Sequence, residues 1–518
     1  MHRFLLSIFV IALVMSNTTF AEPVINLDTG IAKGIAHKGV EQFLGLAYAA
    51  PPINEKRWAP PQKPDAWQGV LDASISPSRC PQTLKGLIAG SENEDCLYLN
   101  IYRPAQVAKT PRAIYLYVHG GGAVAGSAND MDGSELARNG DIIVITINYR
   151  LGALGFMNSA ALSKNSVDRN AGNYALMDVR AALEWTQRNA KAIGGDPHKI
   201  TIGGESAGGT IICPLITAPQ NKSLFRSAII SSDDCLHDID TVAQARERAN
   251  NLIKQLNCEK NTLACLHGKK LEELVSAGGF AAPTENPQSA FALIAQKNWY
   301  PIPILIGANR DEGRIAGPSF QYFNREKFHA WLGALVPAEK LEEIIGVYGN
   351  LYQHEKNPYP YLISDLITDS GMRGFGGCSS LKVAQNMAIK NNVYYYEFAD
   401  PDPPFSTTNF DFKFGSAHSA DIPYLWIGPS QPRSDQFTRA QKQLSNQMIQ
   451  YWANFIKFNN PNGEGLPEWP ALFDTQKYLS LEPGGASHAK SIREFERQHR
   501  CDLWLSMPWI MDRGEVTQ

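Results

Sequence analysis

Ile200-Thr201-Ile202 runs almost directly into Gly204-Glu205-Ser206-Ala207-Gly208, and an apolar segment follows at once. That order predicts a short strand, a turn tight enough to strain its central residue, and a helix. Glycine on both sides of Ser206 lets neighbouring backbone approach closely. The helix that begins just past Ser206 turns its positive end toward any negative charge developing there. The bare pentapeptide is a weak signal, since glycine and serine are common. A strand before it and a helix after it make Ser206 a candidate nucleophile.

The chain around this turn repeats a strand, loop, helix pattern. Residues 113–118 are apolar and aromatic and stop at His119-Gly120-Gly121-Gly122. Residues 142–147 are β-branched throughout and stop at Asn148-Tyr149-Arg150. Both read as strands buried on two faces. Leu176, Val179, Ala182, Leu183 and Trp185 recur at helical spacing before a Gly194-Gly195-Asp196-Pro197 turn. Residues 302–306 and 393–398 read as further buried strands, and Leu444, Met448, Tyr451, Trp452 and Phe455 form a late helical stripe. The alternation predicts an α/β fold: one mainly parallel central sheet, helices on both faces, and large helical insertions. Residues 240–390 are richest in helical pattern and are expected to form a cap or side lobe.

An acyl transfer at Ser206 passes through a tetrahedral oxyanion, which needs backbone N–H donors already aimed at it, each worth ~3–4 kcal/mol of barrier. The glycine loop after residues 113–118 suits that task, with Gly121, Gly122 and Ala207 as the donors. It lacks the Gly-Lys-Ser/Thr of a phosphate-cradling loop and fits a dinucleotide fingerprint poorly. Ser206 also needs an imidazole to take its proton and a carboxylate to orient that imidazole, in the chain order serine, acid, histidine. Seven histidines follow Ser206: His237, His267, His329, His354, His418, His488 and His499. His418 stands out, on a loop of small residues after a predicted strand. The acid is Asp311 or Glu312, both just past the strand at 302–306, and pattern does not choose between them.

Among 518 residues the net charge is −3, and no long run of one charge occurs, so nothing marks a nucleic-acid partner. His2 and Arg3 precede a short apolar stretch, residues 4–15, and Thr19-Phe20-Ala21 ends the segment. That layout predicts a signal peptide over 1–21, cleaved after Ala21, and a single domain over 22–518. The apolar run is too short to span a bilayer, so no stable membrane span is expected after cleavage. The protein is expected to be secreted or periplasmic. Export makes disulfides among the eight cysteines reasonable. No cysteine or histidine spacing resembles a zinc site, and no metal or organic cofactor is expected.

Several blocks in order resemble the type-B carboxylesterases, a family that includes the cholinesterases. They are Phe43-Leu44-Gly45-Leu46-Ala47-Tyr48 with Pro51-Pro52, Glu94-Asp95-Cys96-Leu97-Tyr98-Leu99-Asn100, Asn148-Tyr149-Arg150, and Trp452-Ala453-Asn454-Phe455 with Asn460-Pro461 and Trp469-Pro470. The resemblance covers nearly the whole chain after residue 21 and implies the α/β-hydrolase fold and hydrolysis of a small-molecule carboxylic ester. It implies Ser206 as nucleophile, Glu312 rather than Asp311 as acid, and His418 as base. Glu205 and Ser232 resemble groups that flank this triad. It further implies disulfides Cys80–Cys96, Cys258–Cys265 and Cys378–Cys501, and structural ion pairs Arg57–Glu94 and Arg150–Asp178. Cys213 and Cys235 receive no assignment from it and are either buried thiols or a local pair. The segment between Cys80 and Cys96 is short and lacks the tryptophan with which cholinesterases hold choline, which argues against a choline ester. Asp233 and Asp234 stand where the family usually has glycine after Ser232. Two other readings are a non-catalytic adhesion ectodomain of the same fold and a lipase for insoluble esters. The triad residues disfavour the first, and no long apolar lid supports the second.

Overall fold

A computed structural model describes residues 22–82, 91, 93–164, 172–235, 242–275, 290–372, 374–404, 412–426 and 434–507. The expected signal segment, residues 1–21, lies outside them, as do residues 83–90 of the loop closed by the first disulfide. The chain begins with β1 (Val24–Leu27), β2 (Gly30–Lys33), β3 (Ile35–His37), β4 (Val40–Ala47) and β5 (Val70–Asp72). Then follow β6 (Tyr98–Pro104), β7 (Arg112–Val118), β8 (Ile143–Ile147), β9 (Gly195–Glu205) and β10 (Ser227–Ser231). The last four are β11 (Ile304–Asn309), β12 (Val393–Phe398), β13 (Lys477–Leu481) and β14 (His488–Ser491). β1, β2 and β5 make a small sheet, and the other eleven form one large sheet in the order β14-β13-β12-β11-β10-β9-β7-β8-β6-β4-β3. From β8 across to β13 all neighbours are parallel, while β3, β4 and β6 at one edge and β14 at the other pair antiparallel.

The apolar runs are continuous because both faces are covered. Ile114, Leu116 and Val118 of β7 pack with Leu176, Val179, Leu183 and Trp185 of the helix Tyr174–Asn189. The alternate residues Tyr115 and Tyr117 pack on the other face with Leu444, Met448, Tyr451, Trp452 and Phe455 of the helix Arg439–Phe458. That long helix starts at a capping box, Thr438 and Gln441, and ends at Asn459 in the left-handed conformation. Register aligns the carboxyl ends of the central strands: Val118 lies beside Gly204, Glu205 beside Ser231, and Ser231 beside Gly307. The loops leaving those ends meet on one edge of the sheet, where open α/β sheets place their ligands.

The region 240–390 is helical as expected, with helices such as Val242–Gln255, Ala338–Tyr348 and Gly377–Ala388, but β11 inside it belongs to the central sheet. The lobe is therefore two insertions around a core strand. Four disulfides join Cys80–Cys96, Cys213–Cys235, Cys258–Cys265 and Cys378–Cys501. Arg150 meets Asp178 through two hydrogen bonds of 2.7 and 2.8 Å, both side chains buried. Arg57 grips Glu94 at 2.6 Å and also donates to the carbonyls of His267 and Lys269 at 3.2 Å, which docks the Cys258–Cys265 segment. Among the described residues no helix is long and apolar enough to cross a membrane.

Candidate active site

Ser206 sits at φ 55° and ψ −129°, between the end of β9 and the helix Ala207–Thr217. A non-glycine residue in that conformation is strained, and the surroundings hold it there. Its backbone N–H donates to the Ser231 carbonyl at 2.9 Å. The flanking glycines are required by contact: a Cβ on Gly208 would fall 2.2 Å from the Val118 carbonyl oxygen, and one on Gly204 would fall 2.6 Å from the Gly208 backbone. The strand, turn and helix read from the sequence thus close on β7, the strand that carries the glycine loop.

Gly121 and Gly122 are exposed on this edge, at φ 99° and 62°. A Cβ on Gly121 would collide with the Ala125 carbonyl at 2.3 Å. The loop is held from below. Gln82 donates to the Gly126 carbonyl at 2.9 Å and accepts from its N–H at 3.0 Å. The Tyr149 hydroxyl donates to the His119 carbonyl at 2.8 Å while the two rings stack at 4.5 Å. Burial pulls His119 down to about 4, so its ring is neutral and adds no charge beside the glycines. His119 and Tyr149 lie in blocks that the sequence singled out and Gln82 in none, but sequence reading found none of the three as a support.

His418 leaves the loop after β12 and is buried. Its Nδ1–H donates to Glu312 Oε2 at 2.6 Å, and its backbone N–H donates to the Glu312 carbonyl at 3.1 Å. Glu312 is fully buried, and its other oxygen accepts the Asn309 N–H at 2.7 Å. Asp311 does different work: its carboxylate accepts the Ser416 N–H at 2.9 Å and its own N–H donates to the Ser416 carbonyl at 3.0 Å, clasping the histidine loop. The other edge of the imidazole, Nε2, lies 3.4 Å from Glu205 Oε1, on the residue before Ser206. Ser206 Oγ itself makes no hydrogen bond among the described residues. The structure therefore brings the acid and the histidine together directly and sets the histidine beside the serine's neighbour.

A family model described as the carboxylesterase family matches residues 21–504. The chain belongs to the carboxylesterase family. It is 32% identical to pyrethroid hydrolase Ces2e of Rattus norvegicus over 514 residues, covering 89% of this chain and 86% of that one. It is 30% identical to the cocaine esterase of Homo sapiens, covering 93% of this chain and 91% of the relative. A solved PNB esterase superposes with a TM-score of 0.75 at 27% identity, covering 93% of this chain and 100% of that one. The protein is a carboxylic ester hydrolase of the α/β-hydrolase fold.

In this carboxylesterase three buried carboxyl groups surround the imidazole. Burial pulls His418 down, but Glu312 and Glu205 outweigh it and raise it from 6.5 to about 9. Burial raises Glu205, against the opposing pull of His418 and of the Ser419 hydroxyl that donates to it at 2.6 Å. Asp421 is pushed up to about 7 by burial, with Glu205 and Glu312 adding to it. Ser232, at φ 53°, donates its N–H to the Gly307 carbonyl at 2.8 Å, and its buried hydroxyl has no hydrogen-bond partner among the described residues. Asp233 accepts the Thr210 hydroxyl at 2.6 Å and the Cys235 N–H at 2.8 Å, while Asp234 accepts the Ser379 hydroxyl at 2.6 Å. Among the described residues Cys213, Asp233 and Cys235 bring metal-type ligand atoms together, but the two sulfurs are bonded to each other and offer no thiolate.

A second histidine of the esterase is equally buried between carboxylates. His499 faces Asp369 at 2.9 Å and Glu397 at 2.8 Å. Among the described residues its ring nitrogens meet Asp369, Glu397 and the Gln498 amide, so the pairing reads as structural. Burial lowers His499, but Asp369 and Glu397 override it and raise the ring to about 10. The imidazolium's contribution is then complete below the unfolded value of ~6.5 and is lost as pH rises through the folded one. His499→Ala leaves two buried carboxylates facing each other and is expected to cost ~3–5 kcal/mol near pH 6, read by urea unfolding. A loss under about 1 kcal/mol would show that the cluster is not charged as described.

Proposed function

We propose that this carboxylesterase cleaves esters through an acyl-enzyme on Ser206. His418 Nε2 takes the Ser206 proton as Oγ attacks the carbonyl carbon, and Glu312 holds the Nδ1–H so that Nε2 is the free base. The oxyanion is received by the N–H groups of Gly121, Gly122 and Ala207. The imidazolium then protonates the leaving alkoxide, the alcohol departs, and a water activated by the same nitrogen releases the acid. Rotation of the Ser206 side chain, which no hydrogen bond among the described residues restrains, completes the contact with Nε2. No cofactor enters these steps.

The observation that carries the reading is the buried 2.6 Å pair of His418 and Glu312, with the imidazole Nε2 3.4 Å from Glu205, the residue before the strained Ser206. Covalent labelling tests it: an organophosphate should add once per chain, on the peptide carrying Ser206. A folded protein that takes no label would leave a non-catalytic ectodomain as the better reading. The two exposed glycines of the donor loop support a roomy site, and the relatives act, by their names, on pyrethroids and cocaine. We therefore favour esters of bulky alcohols, tested with a nitrophenyl ester panel of varied acyl length followed by alcohols of increasing size. The four disulfides support export after cleavage at Ala21, so the mature protein should begin at Glu22, as N-terminal sequencing would read.

The base must be neutral to act, and two carboxylates hold His418 above its ordinary range. Activity is thus expected to fall on the acid side from a midpoint above ~6.5, higher than an isolated imidazole would give. Glu205→Gln removes one of the two charges and should move the midpoint of the kcat/KM profile downward. A limb that stays in place would mean that Glu205 does not set the charge on His418.

A further inference from the structure

Cys213 lies on the helix headed by Ser206, and its disulfide partner Cys235 lies just past β10, at the end of Ser231-Ser232-Asp233-Asp234-Cys235. Both sulfurs are fully buried, so the bridge is a fixture rather than an exposed thiol pair. The residue before Cys235 reaches across to a different segment. The Asp234 N–H donates to the Gly374 carbonyl at 3.2 Å, and its carboxylate accepts the Ser379 hydroxyl at 2.6 Å. Those two contacts bracket Phe375, whose ring stacks on the imidazole of His418 at 4.2 Å with 28° between the planes. Glycines flank Phe375 closely: a Cβ on Gly376 would fall 2.5 Å from the Thr368 carbonyl. The ring also packs on the core of the helical lobe, and its backbone is set by the segment that Asp234 holds.

We propose that the Cys213–Cys235 bridge is a brace for catalysis: through Asp234 it fixes Phe375, and Phe375 fixes the ring of His418 relative to Ser206. This rests on the reading of Ser206 and His418 as the catalytic pair. Phe375, Asp234 and the two cysteines are then positioning residues, acting through the imidazole. An aromatic face against a ring that becomes imidazolium during each turnover also favours the charged form. The bridge ties the same element that carries the nucleophile to the one that holds the base, so slack in either is removed by one covalent bond.

A kinetic double-mutant cycle on the full chain tests this. Phe375→Leu removes the ring, and Cys213→Ala with Cys235→Ala removes the bridge. Each is expected to lower kcat about ten-fold with KM changed less than about three-fold. Because both act on one ring, the combined variant should still lose only about ten-fold. Phe375→Tyr, which keeps the ring, should restore most of kcat. Losses that multiply to about a hundred-fold, or a folded bridge variant with unchanged kcat, overturn the proposal. Should the bridge variant fail to fold, Ser379→Ala keeps every disulfide and loosens Asp234. It should lower kcat in the wild-type background and not in Phe375→Leu, and an unchanged wild-type kcat overturns the brace. Organophosphate labelling of the unaltered protein separates the two ideas: no label sinks the catalytic reading, whereas a labelled protein with multiplying losses sinks only the brace.

Discussion

Replacing Ser206 by alanine is expected to lower kcat by on the order of 10⁶ while the protein folds normally. The two halves of that expectation come from different observations. Ser206 Oγ makes no hydrogen bond among the described residues, so its removal costs the fold no partner. Alanine keeps the Cβ and with it the strained φ of 55°, so the turn, the Ser206 N–H to Ser231 bond and the helix behind them remain. What disappears is the atom that would carry the acyl group. A residual rate above water is still expected, because the donors proposed for the oxyanion, Gly121, Gly122 and Ala207, would remain without the nucleophile. Single-turnover kinetics with a nitrophenyl ester, alongside a thermal melt, read both halves. A loss of ten-fold or less would remove Ser206 as nucleophile, and a collapsed melt would show that the hydroxyl is structural.

The elements that sequence reading found are those whose residues answer to one strong local demand. β7 and β8 are buried on both faces, so their runs are apolar or aromatic but for Arg112 at the start of β7 and Thr146 within β8, and they are plain to see. β12 was read with its observed bounds because five of its six residues are apolar or aromatic, Glu397 being the exception. The elbow was legible because two glycines are forced by backbone contacts under 3 Å. β10 was missed although all five of its residues are buried, because Ser227-Ala228-Ile229-Ile230-Ser231 holds only a three-residue apolar core. The strands before residue 73 were missed because most of their residues are exposed or half-exposed, which leaves no continuous apolar run to read. At the site, residues in direct contact with the expected chemistry had motif or positional signals. Their supports carried no sign of that role: Gln82 and Phe375 had no signal, Tyr149 only a place in a family block and Asp311 only its place beside Glu312, and all four act through contacts made across 30 or more residues of chain. The Cys213–Cys235 pairing was likewise beyond spacing alone, since nothing local sets the approach of a helix to the end of a neighbouring strand.

Glu312→Gln should lower kcat by on the order of 10⁴, and Asp311→Asn by no more than about ten-fold. The two neighbours are both acidic and both just past β11, and pattern did not separate them. Their contacts do. Glu312 presents one oxygen to the His418 Nδ1–H at 2.6 Å and the other to the Asn309 N–H at 2.7 Å, with no exposure to water. A glutamine there keeps the size and can still accept from Asn309. It then turns its NH₂ toward Nδ1, which can meet it only as an acceptor, so the proton moves to Nε2 and the free base is lost. Water does not repair the fault in a buried site. Asp311 faces Ser416, Arg310 and Arg314 instead, at 2.9, 3.0 and 3.3 Å, and asparagine keeps an oxygen for the Ser416 N–H. Its loss loosens the loop that carries the histidine without changing which nitrogen holds the proton. The pH profile separates the mechanisms further. Glu312→Gln removes the nearest carboxylate, so the acid limb should move down along with the rate, whereas Asp311→Asn should leave the limb close to its place. Equal losses in the two variants would mean that the carboxylate beside His418 orients a loop rather than a tautomer.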